Sequence, residues 1–583
     1  MKLARTKAKY LKCLILIISI CFILGALAAC LPFNISIPDT LEEAIDNTAM
    51  NITTNSSDGL GEFNNGYSYV YTDKDLIDKY RAGDPDTPYD ISIVKVDTSQ
   101  ARGTQKNPYV IASVEDWTRF AKNLDDGSIP SYGSEKYFVL ANDVDFDGKT
   151  FYPVRYFNGT FYGMGHKLKN LSVNGTSGWV YWNKTAYAQI PISGTGAPLG
   201  YGVFCATTTG ATITDIILEN YSYSEMPMTA IWESRGVVNT GGIIGASGGE
   251  DYLLNCHVSG TIKSSISYNA TVIDFGGIVG SHIGNNVDIM FYRCSAEAEI
   301  LSEGLSSSIV PIMGGLLGEI HNAGTAYIYD CVVNFKQKSI GGKYNHSSSI
   351  CGLVENSGLI SENLVGTMDL TSTVNDHCGA LTGFWTRIKT ITIKNAYSNA
   401  LSGSSDANKL SVLMLLGNMQ PAISGYSNLN NVKSTSNYAP LNSGVADVGG
   451  SSINTLNSSA DLIDKVKSDI SKGLLSDRIW DIEKVGGSYD PDNSPVRNYL
   501  MAFINFRNLN NKGNSEESVG LDDGEPYIAG DSLPDNTSDV TAFTTYLNNK
   551  ASANHVFLGW TDDKTGASEP FTKLPSGYFG ELT

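Results

Sequence analysis

The chain has 583 residues, of which 41 are Lys or Arg and 60 are Asp or Glu, so its formal net charge is −19 at pH 7. This acidity argues against nucleic acid as a partner, because phosphates must be neutralised by Lys and Arg. The repeating middle of the chain is rich in Gly, Ser, Thr and β-branched residues and lacks helical runs of Ala, Leu, Glu and Lys, which favours strands over helices.

The first 29 residues have the pattern of a secretory signal peptide. Basic residues without acidic ones lead into an apolar run from Cys13 to Ala29. The run ends in Leu27-Ala-Ala-Cys30, which resembles the lipobox of bacterial lipoproteins and implies that the mature chain begins at a lipid-carrying Cys30. We therefore expect an exported protein held at the cell surface by lipid. Cleavage near Ala28 without lipid, or an uncleaved membrane anchor, are the alternatives.

A polar segment follows the leader. Residues 31 to about 88 carry many Asn, Ser, Thr and Asp residues and few large apolar ones. This composition is typical of a flexible tether. We assign residues 30–88 to a tether between the membrane and a folded domain.

Three acidic residues form the best candidate in the chain for a cation-binding or catalytic site. Strand alternation would put Asp143, Asp145 and Asp147 on one face, with Val144 and Phe146 inward. Their mutual repulsion would favour a cation, so they are a weak calcium candidate, although Val154 stands where a calcium loop wants Glu. The alternatives are a solvent-facing strand or, less favoured, a catalytic role.

Aromatic residues that follow the acidic cluster have two interpretations. As exposed side chains they could stack on sugars or proteins, and as buried ones they would fill a loop or cap. The residues concerned are Trp179, Tyr181, Trp182, Tyr187, Tyr221 and Tyr223.

A five-residue pattern, here called the glycine mark, runs down the middle of the chain in steps of 27 to 40 residues. Its copies begin at Tyr201, Gly241, Gly276, Gly314, Cys351, Cys378 and Leu413. A period in this range indicates one structural unit stacked on itself, because a single unit cannot bury its apolar face. Glycine suits tight corners, or places where a side chain would clash with the next coil. The strongest copies supply the structural glycines Gly241, Gly242, Gly245, Gly276, Gly277, Gly280, Gly314, Gly315 and Gly318.

A second column accompanies the glycine marks. Its apolar or soft residues are Ile216, Cys256, Cys294, Cys331, Leu364 and Ala396. The polar residues just before them are Asp215, Asn255, Arg293, Asp330, Asn363 and Asn395. This alternation predicts a strand with the column inward and the polar residues outward. We expect the three cysteines of the column to be stacked buried thiols, with disulfides between neighbouring coils as the alternative. The cysteine and histidine spacings do not predict a metal site.

If each unit is one coil, like residues lie about 4.8 Å apart in adjacent coils. The sequence thus predicts an all-β fold, a right-handed parallel β-helix with short flanking helices over residues 89–500. Two shorter coils per repeat remain the alternative. Marks such as Gly276-Gly-Ile-Val-Gly280 resemble the GLUG repeat of bacterial surface proteins, over roughly residues 90 to 500. The resemblance implies a β-helical surface domain and neither catalytic residues nor a cofactor.

Helical signals flank the predicted stack. Ser113-Val-Glu-Asp-Trp-Thr-Arg-Phe-Ala121 predicts a helix on its N-terminal side, and Ala460-Asp-Leu-Ile-Asp-Lys-Val-Lys467 predicts one that caps or flanks its C-terminal side. The following segment, from Arg478 to Leu500, resembles the Trp…Pro segment that often closes such domains. Covering the last coil would protect its open strand edge.

Residues 501–583 have a different character. His555-Val-Phe-Leu-Gly-Trp560 and the turn after it resemble a Listeria-Bacteroides repeat, a small β-grasp-like module of surface proteins. The family's closing Tyr-Ala-Lys-Trp strand is not found before Thr583, so we expect an incomplete or atypical module.

The sequence as a whole favours a lipid-anchored surface protein without enzymatic activity. Its β-helix would be displayed for adhesion, or for binding host protein or glycan ligands. The alternative is a carbohydrate-active β-helix enzyme, a polysaccharide lyase or hydrolase, which would need convergent acids or bases in a groove.

Overall fold

The computed structural model describes part of the 583-residue chain. The described residues are 68–70, 94–96, 101–104, 107–174, 199–224, 231–232, 235–265, 272–284, 286–305, 307–342, 345–372, 377–402, 414–416, 432–435, 437–440, 453–477, 479–487, 489, 491, 493–496, 501–502, 504–509, 516–518, 527–528 and 580–582. The predicted signal peptide, Cys30, most of the tether and most of the C-terminal module lie outside these ranges. In the described part of the chain, no helix is long and apolar enough to cross a membrane.

The fold is an all-β parallel β-helix in which one sequence repeat makes one coil. Gly241, Gly276 and Gly314 are Cα partners in successive parallel strands, so each repeat pairs directly with the next. The alternative of two shorter coils per repeat is therefore wrong. Each full coil passes through four strand segments, here called faces I to IV. Faces I and II belong to a 14-stranded sheet and meet at the glycine mark, and faces III and IV belong to an 18-stranded sheet.

The strands of the four faces follow one another along each coil. Face I contains β10 (Leu199–Tyr201), β15 (Arg235–Gly241), β19 (Val272–Gly276), β23 (Val310–Gly314), β26 (His346–Ser348) and the start of β29 (His377–Thr386). Face II contains β6 (Val154–Tyr156), β11 (Phe204–Ala206), β16 (Ile244–Ser247), β20 (Val279–Ile283), β24 (Leu317–His321), β27 (Cys351–Glu355), the end of β29 and β31 (Met414–Leu416). Face III contains β3 (Tyr109–Ile111), β4 (Tyr137–Leu140), β7 (Thr160–Tyr162), β12 (Thr212–Thr214), β17 (Asp251–Leu254), β21 (Ile289–Tyr292), the first parts of β25 (Thr325–Gly341), β28 (Gly358–Ser372) and β30 (Thr390–Ser402), and β32 (Val432–Thr435). Face IV contains β5 (Val144–Asp145), β8 (Lys167–Lys169), β9 (Ser172–Asn174), β13 (Ile217–Ser224), β18 (His257–Ser265), β22 (Ser295–Leu305), the later parts of β25, β28 and β30, β33 (Asn437–Pro440) and β34 (Ile453–Leu456).

The remaining strands are short and pair outside the coils or at their edge. They are β1 (Ser68–Val70) with β2 (Val94–Val96), β14 (Ile231–Trp232) with β15, β35 (Met501–Ala502) with β38 (Tyr527–Ile528), and β36 (Ile504–Leu509) with β37 (Glu516–Ser518) and β39 (Gly580–Leu582).

The glycines of the marks lie where the chain of one coil touches the backbone of another. A Cβ atom on Gly277 would come within 2.1 Å of the Gly315 carbonyl oxygen in the next coil, and one on Gly242 within 2.4 Å of the Gly277 oxygen. Real Cβ atoms do not approach other atoms this closely. Glycine is therefore required here by the close approach of coils.

The fifth and sixth glycine marks, predicted to begin at Cys351 and Cys378, begin at other residues in the structure. Gly314 pairs with Ser348, three residues before Cys351, and Ser348-Ser349 occupies the place of the two glycines. In the next coil, Gly379 rather than Cys378 begins the mark, because Ser347 pairs with Cys378. Small side chains satisfy the steric requirement there, so a search for glycine alone misplaces these copies.

The polar column before the cysteines is a corner of the coil and not an outward strand position. Its members have left-handed backbones, with φ of 51° at Asn255 and 52° at Asp330, which Asn and Asp adopt more readily than other residues. Their side chains form a ladder: the Asn255 Nδ2 donates to the Asp215 Oδ1 at 2.7 Å, and the Asn363 Nδ2 donates to the Asp330 Oδ1 at 3.1 Å. The prediction of a regular strand is therefore wrong at this column, where the backbone turns a corner, whereas Asp330 still faces the closing segment outside the coils.

The first coils are covered by α1 (Val114–Asp126). The Ser113 hydroxyl caps it by accepting a hydrogen bond from the Asp116 backbone N–H at 3.1 Å. Its Trp117 is fully buried and packs edge-on against Phe161 of β7. Among the described residues, the first strand of the stack is β3, which pairs in parallel with β4. The helix predicted from Ser113 is confirmed, and it covers apolar side chains of the first coils.

The C-terminal closing segment covers the side of the stack. It comprises α2 (Ser459–Ser471) and residues up to Val496, and its apolar side chains pack against face IV at Val332, Val365 and Tyr397. The Tyr397 hydroxyl donates to the Asp469 Oδ2 at 2.5 Å. We name the described residues of 459–496 the closing segment.

Candidate functional site

The outer side of face III carries a concentration of aromatic side chains, here called the tyrosine stripe. Its members are six tyrosines and one methionine: Tyr137, Tyr162, Tyr252, Met290, Tyr292, Tyr327 and Tyr329. Strand alternation produces it: Leu253 and Ile328 point into the core and are fully buried, so their neighbours point out and are half-buried. The stripe is an outward, aromatic-rich surface on a rigid sheet.

Pairing between coils sets the geometry of the stripe. Tyr252, Met290 and Tyr327 are successive Cα partners and form one column, and Tyr292 and Tyr329 belong to the column beside it. The rings of Tyr327 and Tyr329 stack with centroids 6.4 Å apart, and those of Tyr137 and Tyr162 lie 6.2 Å apart. The two adjacent columns hold four tyrosine rings and one methionine, and Tyr292 at their edge packs against the apolar cluster of the closing segment. The remaining rings give a surface on which flat, partly apolar ligands can stack.

Two of the aromatic residues with both an exposed and a buried interpretation are in the core. Tyr221 and Tyr223 are fully buried, and their hydroxyls donate to the carbonyl oxygens of Gly277 and Gly242, at 3.1 and 3.2 Å. The glycine marks leave room for these rings, which is why they turn inward. Trp179, Tyr181, Trp182 and Tyr187 lie outside the described residues.

The acidic cluster at the first coils is engaged by protein cations and amides. Asp143 accepts a hydrogen bond from the Lys167 backbone N–H at 3.0 Å and faces the Lys169 Nζ at 3.2 Å. Burial raises its pKa, but hydrogen bonds from His166, Lys167 and Lys169 lower it more, so the pKa ends below its usual range. Val144 and Phe146 point inward as expected, and the calcium interpretation remains a prediction.

The acidic cluster's second carboxylate has its own partners. The Asp145 Oδ1 accepts from the Asn170 Nδ2 at 2.8 Å and from the Asp147 backbone N–H at 2.9 Å. The hydrogen bond from Asn170 holds the pKa of Asp145 below its usual value. The carboxylates of Asp143 and Asp145 therefore contact different groups of the protein.

The cysteine column lies in the core. Cys256, Cys294 and Cys331 are fully buried free thiols, and the Cys294 Sγ donates to the Leu253 carbonyl oxygen at 3.2 Å. Burial raises the pKa of the Cys256 and Cys331 thiols, so these two stay protonated and behave as small apolar groups.

A buried network joins a serine, a histidine and an aspartate on faces II and III. The Ser247 Oγ lies 2.6 Å from the His282 Nδ1 and also contacts Asp251, and the His282 Nε2 lies 2.9 Å from the Val287 carbonyl oxygen. Because a carbonyl only accepts, the Nε2 carries the proton and the Nδ1 is an acceptor. The Ser247 hydroxyl has one proton, and both the Asp251 carboxylate and the His282 Nδ1 lie within hydrogen-bond distance of it. Burial raises the pKa of Asp251 to about 6, although hydrogen bonds from Ser247 and Thr207 lower it.

The order of this network differs from that of a hydrolase triad. There the histidine stands between the nucleophile and the acid, whereas here Ser247 stands between Asp251 and His282. All three side chains are buried, and Asp251 also accepts from the Thr207 hydroxyl at 2.6 Å. The network ties three coil segments together.

His257 is a second histidine held neutral in the structure. It follows Cys256 in the chain and is fully buried, with Lys484 of the segment that flanks face IV close enough for its charge to act on the imidazole. Its Nδ1 lies 2.7 Å from the Ser295 Oγ and its Nε2 lies 3.1 Å from the Asn255 Oδ1. Burial, together with the positive charges of Arg293 and Lys484, lowers its pKa to about 3.

Acid should therefore destabilise the fold through His257. Its pKa is about 6.5 when unfolded and about 3 when folded, so the unfolded chain binds the extra proton. The stability it contributes is full above pH 6.5 and is lost as the pH falls toward 3. Between pH 7 and pH 5 we expect a loss of about 2 kcal/mol that His257→Gln does not show, measured by urea unfolding. Equal pH dependence of both proteins would contradict the assignment.

One group of three side chains in the described part of the chain brings metal-ligating atoms within 4.8 Å of one another: Glu319, His321 and Glu355. Burial lowers the pKa of His321, but the hydrogen bonds and charges of the two carboxylates raise it to about 10. Sequence reasoning missed this group. The signal was Glu319-Ile-His321, two ligand types at strand spacing, but Glu355 joins them only once the register is known.

The fold defines the class of the protein as a parallel β-helix. No family model matches the chain, and no curated protein sequence matches it. Two solved chains match it in structure. One is described as a "putative immunoglobulin A1 protease from Bacteroides ovatus", with a TM-score of 0.34 and 16% identity over 65% of this chain and 91% of that chain. Similarity at this level does not extend to activity.

Proposed function

We propose that the protein is a lipid-anchored cell-surface protein whose β-helix binds extracellular ligands, either glycans or host proteins. The tyrosine stripe is the observation that supports this proposal most directly. Tyrosine supplies a large apolar face and a polar hydroxyl at low conformational cost, which suits both sugar rings and protein surfaces. Binding without turnover is the proposed activity.

The sequence supplies the other half of the proposal. The leader and Leu27-Ala-Ala-Cys30 favour export and lipid attachment at Cys30, and the residues up to 88 have the composition of a tether. The GLUG and Listeria-Bacteroides resemblances point to the same class of surface proteins. A tethered, anchored stack would hold its outer faces away from the membrane, where ligands can reach them.

The stripe can be tested by exposing the protein without its leader to an array of glycans and extracellular-matrix proteins. We expect Tyr327→Ala combined with Tyr329→Ala to weaken binding at least tenfold, because stacking side chains at a binding surface typically contribute about 1–2 kcal/mol each. Tyr132→Ala is the matched control, since Tyr132 is an exposed tyrosine outside the stripe.

Two results would count against the proposal. Binding unchanged in the double variant would remove the stripe from the function. Release of shortened or unsaturated sugars by the wild-type protein would favour the alternative, a carbohydrate-active enzyme.

A further inference from the structure

Three titratable side chains come together on face II, away from the tyrosine stripe. Glu319 and His321 stand two residues apart on β24, and Glu355 on β27 is the Cα partner of His321 in the next coil. Residues two apart on a strand share a side of the sheet, and partners in parallel strands point the same way. All three side chains therefore leave the sheet on one side.

Their ligand atoms converge on the imidazole of His321. Its Nδ1 lies 3.0 Å from the Glu319 Oε1 and 3.3 Å from the Glu355 Oε2, and the three atoms lie within 4.8 Å of one another. Zinc–ligand bonds of about 2.0–2.2 Å place the ligand atoms of a tetrahedral site about 3.4 Å apart. The spacing seen here fits an ion between the three atoms with small side-chain movements.

The charge of the group also favours a cation. The side chains of Glu319 and His321 are each 3% exposed, and that of Glu355 is 17% exposed. Two carboxylates with a neutral imidazole carry a charge of −2, and protonating the imidazole still leaves −1. Net charge in a nearly buried place is unfavourable, whereas a divalent ion brings the group to zero.

The polar lining extends one coil back. Ser281 is the Cα partner of Glu319 in the preceding coil, so its side chain points to the same side of the sheet. Its hydroxyl is buried and has no hydrogen-bond partner among the described residues. A buried hydroxyl beside a carboxylate is the kind of neighbour that orients a metal ligand.

We propose that Glu319, His321 and Glu355 bind a divalent first-row transition-metal ion. One imidazole and two carboxylates suit such ions, whereas Ca²⁺ and Mg²⁺ prefer oxygen ligands alone. Three protein ligands leave a coordination position for water or for another molecule. Glu355, the most exposed of the three, gives the ion a route from solvent.

Zn²⁺ is the probe that tests the site. The chain without its leader, prepared without a polyhistidine tag and stripped with a chelator, is titrated with ZnCl₂ in a calorimeter. We expect one Zn²⁺ per chain, and an affinity at least about 100-fold weaker in Glu355→Gln, because losing a ligand costs more than losing its supporting partner. Glu355→Asp, which keeps the charge but withdraws the carboxylate, should also weaken binding.

A matched control and two opposing results complete the test. Glu362→Gln removes a carboxylate that pairs with Lys394 outside the site, and it should bind Zn²⁺ like the wild type. Circular dichroism shows whether each variant keeps its strands. Wild-type chain that takes up no Zn²⁺ at 1 mM would overturn the proposal and leave a buried ion pair only. Wild-type affinity in a folded Glu355→Gln or Glu355→Asp chain would also overturn it. The result is independent of ligand binding at the tyrosine stripe.

Discussion

Gly280→Ala is expected to destabilise the β-helix by more than about 4 kcal/mol, enough to prevent the central coils from forming. The added Cβ would lie 2.4 Å from the Gly245 carbonyl oxygen and 2.5 Å from the Thr240 nitrogen. Both are backbone atoms of the preceding coil, so a rotamer change cannot relieve the overlap. The strands on either side would have to separate, and the hydrogen bonds between coils would be lost.

The measurement is urea or thermal unfolding followed by circular dichroism. Gly487→Ala is the matched control, because a Cβ there meets only the Lys484 carbonyl oxygen, at 3.4 Å. We expect that variant to lie within about 0.5 kcal/mol of the wild type. A Gly280→Ala protein as stable as the control would mean that the coils do not approach as closely as described.

Trp480→Ala is expected to cost about 3–5 kcal/mol and to release the closing segment from face IV. The indole is fully buried in the cluster that joins the segment to Val332 and Val365, and its Nε1 donates to the Asp330 Oδ1 at 2.9 Å. Removing it leaves a cavity and takes one hydrogen bond from the corner ladder. Because the segment packs on the side of the stack, its release need not unfold the coils.

Limited trypsin digestion separates local release from global unfolding. Cleavage at Lys465, Lys472 and Lys484 should speed up in Trp480→Ala, while far-ultraviolet dichroism still reports strands. Trp480→Phe keeps most of the ring and loses the donor, so it should cost about 1–3 kcal/mol. Equal digestion of Trp480→Ala and the wild type would contradict the position given to the closing segment.

The period of the stack was predictable because close approach of coils allows little besides glycine at fixed positions. Gly241, Gly276 and Gly314 are Cα partners as their spacing required. The predicted register was wrong at Ser348 and Ser349, which stand where other coils have glycine. The close approach of coils requires a small side chain there, and serine also meets that requirement.

The parts that escaped prediction depend on contacts between distant residues. Asparagine is common both at a left-handed corner and at an outward strand position, so the alternation of polar and apolar residues could not show that Asn255 is at a corner. The sequence left Tyr221 with an exposed and a buried interpretation, and its contact with Gly277 of a later coil decides that it is buried. Glu355 meets His321 only because the register of β24 and β27 brings them together.

The two anchors of the closing segment limit how this protein can change in length. Asp469 is held by Tyr397, and Trp480 is held by Asp330, so one short stretch of chain spans the coils between those two residues. Gain or loss of a whole repeat between Asp330 and Tyr397 would move one anchor by about 4.8 Å per coil and break a contact. Variation in repeat copy number among natural relatives should therefore concentrate elsewhere in the stack.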